Sequence, residues 1–140
     1  MWKCPNCQRI FERKGQTHSC QTKLLEDHFK NKGFAKEIFE ALVREITQGI
    51  GEVKVVSIPC CIHLFGRYDF LAALPKRDGL EIRFALDRVL KTPRLKQSAP
   101  VTKKEFKNCI DIYSIDEIDS ELLSWIKEAY YLRNLKEEKK

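Results

Sequence analysis

The pair Cys4-Pro5-Asn6-Cys7 and the triplet His18-Ser19-Cys20 confine the start of this chain more tightly than any other feature of its sequence. Two thiols three positions apart across a Pro-Asn turn point into one coordination sphere, and a second pair of soft donors returns after a span long enough for a small hairpin. The spacing predicts a zinc site with Cys4, Cys7, His18 and Cys20 as ligands. His28 is the alternative fourth ligand, because Cys4-x2-Cys7-x12-Cys20 also resembles a short ββα finger. His18 is preferred: it stands two residues before Cys20, whereas His28 falls in a predicted helix. Four protein ligands leave no open position, so Zn2+ here is expected to be structural. A thioredoxin-type reading of Cys4-x2-Cys7 needs a core strand ahead of the motif, and only three residues precede Cys4.

The zinc module is assigned to residues 1–22 and an α+β domain to residues 23–140. From Leu24 to Ile46 the pattern is helical, broken near Asn31-Lys32-Gly33, with Phe34, Ile38, Phe39, Leu42, Val43 and Ile46 at the three- and four-residue steps that line one helix face. Segments rich in β-branched and aromatic residues follow at Val53 to Ile58, Cys61 to Phe65, Phe70 to Leu74 and Leu80 to Leu86, and read as strands. Pro75-Lys76-Arg77-Asp78-Gly79 has the composition of a hairpin loop. Residues 88–107, with Pro93 and Pro100 and few apolar side chains, read as a long loop. Cys109 to Ser114 is a final strand, and Asp119 caps a helix running to Leu135. The expected architecture is an antiparallel sheet with helices packed on one face, in an order like that of the frataxin-like group.

Charge is distributed unevenly. The net +6 is concentrated in residues 1–20 and 88–107, which hold four and seven basic side chains against one acidic side chain each. Asp111, Asp116, Glu117, Asp119 and Glu121 form an acidic counterpart that can fold against the basic segment and neutralise it within the molecule. Lys91, Arg94, Lys96, Lys103, Lys104 and Lys107 are the candidate contacts to a polyanion, either nucleic acid or an acidic protein. No apolar run is long enough for a membrane span and the opening residues lack a signal peptide's apolar stretch, so a cytoplasmic protein is expected. Cys60, Cys61 and Cys109 are expected as buried small hydrophobes, the adjacent pair pointing to opposite faces of a strand.

His63, Arg67, Tyr68 and Asp69 are the other polar cluster near strand ends, but no phosphate loop, paired carboxylates or activated nucleophile accompanies them in sequence. The chain therefore reads as a non-enzymatic, zinc-containing binding module. The alternative is a small-molecule binder or enzyme with a sheet pocket around Arg67 and Arg83, His63 supplying a third polar group.

Trp2-Lys3-Cys4-Pro5-Asn6-Cys7, Arg9, Phe11, Gln16, His18-Ser19-Cys20 and His28-Phe29 resemble the opening of bacterial proteins of domain-of-unknown-function family 5655. Ile62 to Phe65, Arg67, Phe70, Leu80 to Arg88, Pro93-Arg94 and Asp119-x2-Leu122 to Ala129-Tyr130 are similar to that domain's body. The chain departs from the pattern at Gly15 and at Asn108-Cys109, where a histidine or aromatic is expected. The resemblance implies a zinc-knuckle-like start on a small α+β domain and carries no functional residues with it.

Overall fold

Side chains that alternate between apolar and polar give a strand one face to bury, and a helix with an apolar stripe is the natural cover. The computed structural model, which describes residues 2–5, 10–11, 13–15 and 23–135, solves that requirement with one six-stranded sheet and two long helices. The elements are β1 (Trp2–Lys3), β2 (Ile10–Phe11), α1 (Leu25–His28), α2 (Gly33–Gly49), β3 (Lys54–Ile58), β4 (Cys61–Phe65), β5 (Asp69–Pro75), β6 (Leu80–Leu86), β7 (Leu95–Pro100), β8 (Phe106–Ile112) and α3 (Ser120–Leu135). β1 and β2 pair as a separate antiparallel ladder, Trp2 opposite Phe11. The main sheet runs β3-β4-β5-β6-β8-β7, every neighbouring pair antiparallel. This is the α+β class read from the sequence.

Local chemistry sets the break between α1 and α2 and the start of α3. Asn31 takes φ +62°, a left-handed conformation that asparagine tolerates, and so separates α1 from α2. α2 buries Ala35, Ile38, Phe39, Leu42 and Ile46. Phe34, expected on that stripe, is 66% exposed although its direction falls between those of buried Ile38 and Ala41; it stands in the first turn of α2, at the open end of the stripe. Asp119 caps α3 as expected, its Oδ1 accepting the Leu122 N–H at 2.9 Å. Leu122, Ile126 and Ala129 of α3 then join Ile62, Leu64, Ala73, Ile82 and Ile110 of the sheet in one core.

The expected loop at 88–107 is half strand. β7 forms within it as an edge strand on β8, pairing Ser98 with Asn108 and Pro100 with Phe106. Its sequence, Leu-Lys-Gln-Ser-Ala-Pro, has no β-branched run; the strand is made by the open edge of β8, and its proline sits at its outer end, where edge strands tolerate one. Cys60, expected as a buried small hydrophobe, is exposed. Cys60 lies in the two-residue turn between β3 and β4, so strand alternation does not apply to it, and the two Sγ atoms stand 3.0 Å apart. Cys61 and Cys109 are buried as expected.

Two glycines admit the ring of Tyr130. A Cβ at Gly66 would meet the ring at 2.6 Å and one at Gly51 would meet its hydroxyl at 2.8 Å. Gly66→Ala is therefore expected to destabilise the fold by about 1–3 kcal/mol through overpacking. In the Tyr130→Ala background the same change should cost little, and additive losses in chemical denaturation would show that the ring is not the cause. No helix among the described residues is long and apolar enough to cross a membrane.

Candidate functional site

Both long helices cover one face of the sheet, and the register fixes which side chains share the other. His63 on β4, Ala72 on β5, Arg83 on β6 and Cys109 on β8 form a single cross-strand row. Alanine between imidazole and guanidinium leaves a hollow in that row. The hollow opens into a cavity of about 600 Å³, with Phe65 and Leu74 on the sheet side and Ile10, Phe11 and Val101 among its other apolar walls. Its polar lining is Cys60, Cys61, His63, Asp69, Arg83 and Lys107. Such a mixture, mainly apolar with a few convergent polar groups, is the usual make-up of a small-molecule site.

One end of the cavity holds a compact donor cluster. His63 Nε2 lies 3.1 Å from Cys61 Sγ, and Cys61 Sγ lies 3.0 Å from Cys60 Sγ. On the other side of the ring, Nδ1 is 2.7 Å from Asp69 Oδ2. That nitrogen is buried and makes no aligned hydrogen bond, so the contact with Asp69 is a close approach only. Cys60, Cys61 and His63 offer donor atoms all within 4.8 Å of one another, a group that can hold a metal ion. Sequence reading set His63 and Asp69 together and missed Cys61. Its signal was the Cys-x-His spacing, since positions i and i+2 share a strand face. Order along the chain resembles nucleophile, base and orienting acid, yet burial, then the Cys60 thiol, push Cys61 up to about 12, so the metal-free thiol is protonated at neutral pH and a weak nucleophile.

Beside the cavity lies a charged network. Glu81 is nearly buried and receives Lys96 Nζ at 2.8 Å, Lys76 Nζ at 3.1 Å and Arg83 Nε at 2.5 Å. Asp111 takes the same two lysines at 3.4 Å each. Lys96 is thus spent within the molecule. So is Arg94, which reaches Asp119 at 2.9 Å, Glu121 at 3.2 Å and the Glu117 carbonyl at 2.6 Å, with its guanidinium over the Trp125 ring. The acidic stretch does fold against the basic segment at these two positions. Among the described residues Lys91, Lys103, Lys104 and Lys107 form no ion pair, and of these Lys107 faces the cavity.

Arg67 and Arg83 do not share a pocket. The bulge between Leu64 and Phe65 and the turn at 66–68 carry Arg67 to a separate hollow lined by Glu52, Lys54, Gly66 and Tyr130. Of the four preferred zinc ligands the structure describes Cys4, which is buried directly after β1; Cys7, His18 and Cys20 lie outside the described residues. His28 Nε2 lies 2.8 Å from the Ile58 carbonyl, and burial first of all lowers its basicity, so the neutral ring donates this bond.

Fold and cavity together define an α+β protein whose helix-free sheet face carries a polar-ended apolar pocket. The family model described as "Domain of unknown function (DUF5655)" matches residues 25–133, and the chain belongs to that family. The match begins after Cys20, so the cysteine-rich opening lies outside it. No curated protein and no solved structure matches the chain significantly.

Proposed function

We propose that this protein is a zinc-containing binding module whose sheet cavity takes a small organic anion with an apolar body. The observation that carries the reading is the juxtaposition of Arg83 and Lys107 with Phe11, Phe65 and Val101 around one cavity. Arg83 contacts Glu81 through Nε, which leaves its outer amino groups for a carboxylate, sulfonate or phosphate. This is the small-molecule reading of the sequence, relocated from Arg67 to Lys107. Zinc enters through the opening residues. The β1–β2 ladder with Cys4 buried at its end supports a hairpin closed by Zn2+ on Cys4, Cys7, His18 and Cys20, and Phe11 of that hairpin then forms a cavity wall.

A fluorescent apolar anion, 8-anilinonaphthalene-1-sulfonate, tests the cavity directly. It should bind the native protein saturably, and Arg83→Met should weaken it about 10- to 100-fold, the range for loss of a charged contact in a desolvated site. Ala72→Phe, which fills the floor, should abolish the signal. Unchanged binding by both variants would refute the cavity. If instead a DNA or RNA duplex binds and Lys103→Ala with Lys104→Ala weakens it, the basic segment is the working surface and a polyanion the partner.

A further inference from the structure

We infer that Cys60, Cys61 and His63 form a second metal site, distinct from the amino-terminal cysteines, which holds a thiophilic divalent ion with one coordination position open to the cavity. Three independent features of the geometry carry this.

The donors are right in kind and nearly right in place. Two thiols and an imidazole suit a borderline-soft ion such as Zn2+, for which metal–sulfur distances of about 2.3 Å and metal–nitrogen distances of about 2.0–2.1 Å put tetrahedral donors roughly 3.5–3.8 Å apart. The present separations are 3.0 Å between the sulfurs and 3.1 Å from Cys61 to His63. A modest spreading suffices. Cys60 is free to supply it, because it is exposed at a turn while Cys61 and His63 are held by the β4 ladders.

The imidazole stands between the thiols and a carboxylate, as ligating histidines do. Its Nε2 lies 3.1 Å from Cys61 Sγ and its Nδ1 lies 2.7 Å from Asp69 Oδ2. A carboxylate behind a ligating histidine fixes its tautomer and strengthens its donation. Nδ1 is also buried without an aligned hydrogen bond, and a small ring rotation on binding the ion would bring it onto Asp69.

A fourth protein donor of the His, Cys, Asp or Glu type is not grouped with the three among the described residues, and all three line the cavity. A divalent ion with two thiolates and a neutral imidazole is a neutral centre, so Arg83 at the same cavity remains available to an anion that also reaches the metal. The metal site stands whether or not the cavity takes the organic anion proposed above.

The test is metal content and cobalt spectroscopy on the full chain. Protein purified with zinc and a thiol reductant should retain one more ion per chain than its Cys60→Ser and His63→Gln variants, and Co2+ substitution should show thiolate charge-transfer bands that those variants lose in part. Affinity at this site should fall about 100-fold or more in either variant, and about 10-fold in Asp69→Asn. Azide should shift the cobalt spectrum of the wild type through the open position. Cys60 is exposed, so its serine variant keeps the fold, and circular dichroism verifies that. Cys4→Ser separates the two sites: the inferred ion should persist there even if the amino-terminal zinc is lost. Identical zinc content and cobalt spectra in wild type and Cys60→Ser would overturn the inference, as would a Cys60–Cys61 disulfide in the reduced, zinc-loaded protein by mass spectrometry.

Discussion

Asn108→Leu should lower stability by about 3 kcal/mol and the unfolding midpoint by roughly 10 °C, among the largest effects of any polar substitution in this chain. Asn108 is fully buried, and its amide is hydrogen-bonded on both sides. Nδ2 donates to the Arg88 carbonyl at 3.1 Å and to the Phe106 carbonyl at 3.2 Å, while Oδ1 accepts the Leu90 N–H at 3.0 Å. These bonds fasten the segment after β6 to β8, the route by which the chain crosses over to place β7 outside β8. Leucine preserves approximate volume and removes three hydrogen bonds to backbone groups. Each unsatisfied buried group costs about 1–3 kcal/mol, less whatever water can recover. Thermal unfolding, with hydrogen exchange at the Leu90 amide, checks the claim; a loss under about 1 kcal/mol with Leu90 still protected would mean that the crossover is held by other contacts.

Removing the Glu81 side chain is the second large effect. Burial opposes its charge, but hydrogen bonds from Lys96, Lys76 and Arg83 more than compensate and hold the carboxyl at about 2, below its ordinary 4.5. Glu81→Ala leaves three cations around a half-neutralised centre with Asp111 alone to answer them, at a cost of about 2–4 kcal/mol. The depressed value also sets a pH dependence. A carboxyl ionised more easily when folded contributes its full stabilisation above its unfolded value near 4.5 and loses it as pH falls through about 2. The displacement corresponds to at most about 3 kcal/mol, reduced because both lysines are more than a third exposed. In denaturant titrations the wild type should weaken progressively across that acidic window, and Glu81→Gln should lose that part of the slope. An identical acid profile in the two proteins would show that Glu81 is not the group responsible.

The charge network explains why the basic segment reads differently in sequence and in space. Counting along the chain gives seven cations in residues 88–107. Three dimensions remove Lys96 to Glu81 and Asp111, Arg94 to the start of α3 and Arg88 to Glu128, so the surviving positive surface is Lys91, Lys103 and Lys104, with Lys107 turned to the cavity. Glu81 lies 15 residues from Lys96, and Asp119 lies 25 from Arg94, separations at which no local pattern signals a pair.

What the sequence determined by itself is everything carried by short-range periodicity and stereochemistry. The stripe of α2, the Asp119 cap, the break at Asn31 and strands β4 and β6 follow from steric and burial preferences that act within a few residues. Only the tertiary structure decided the rest. β7 exists because β8 offers an edge, and Arg67 and Arg83 part because a bulge and a turn intervene. The cavity exists because antiparallel register sets Ala72 between His63 and Arg83, and because Ile10 and Phe11 of the separate β1–β2 ladder line it. Strand register and the choice of neighbour are settled by burying one continuous core, a free energy summed over the whole chain, and no window of sequence contains it.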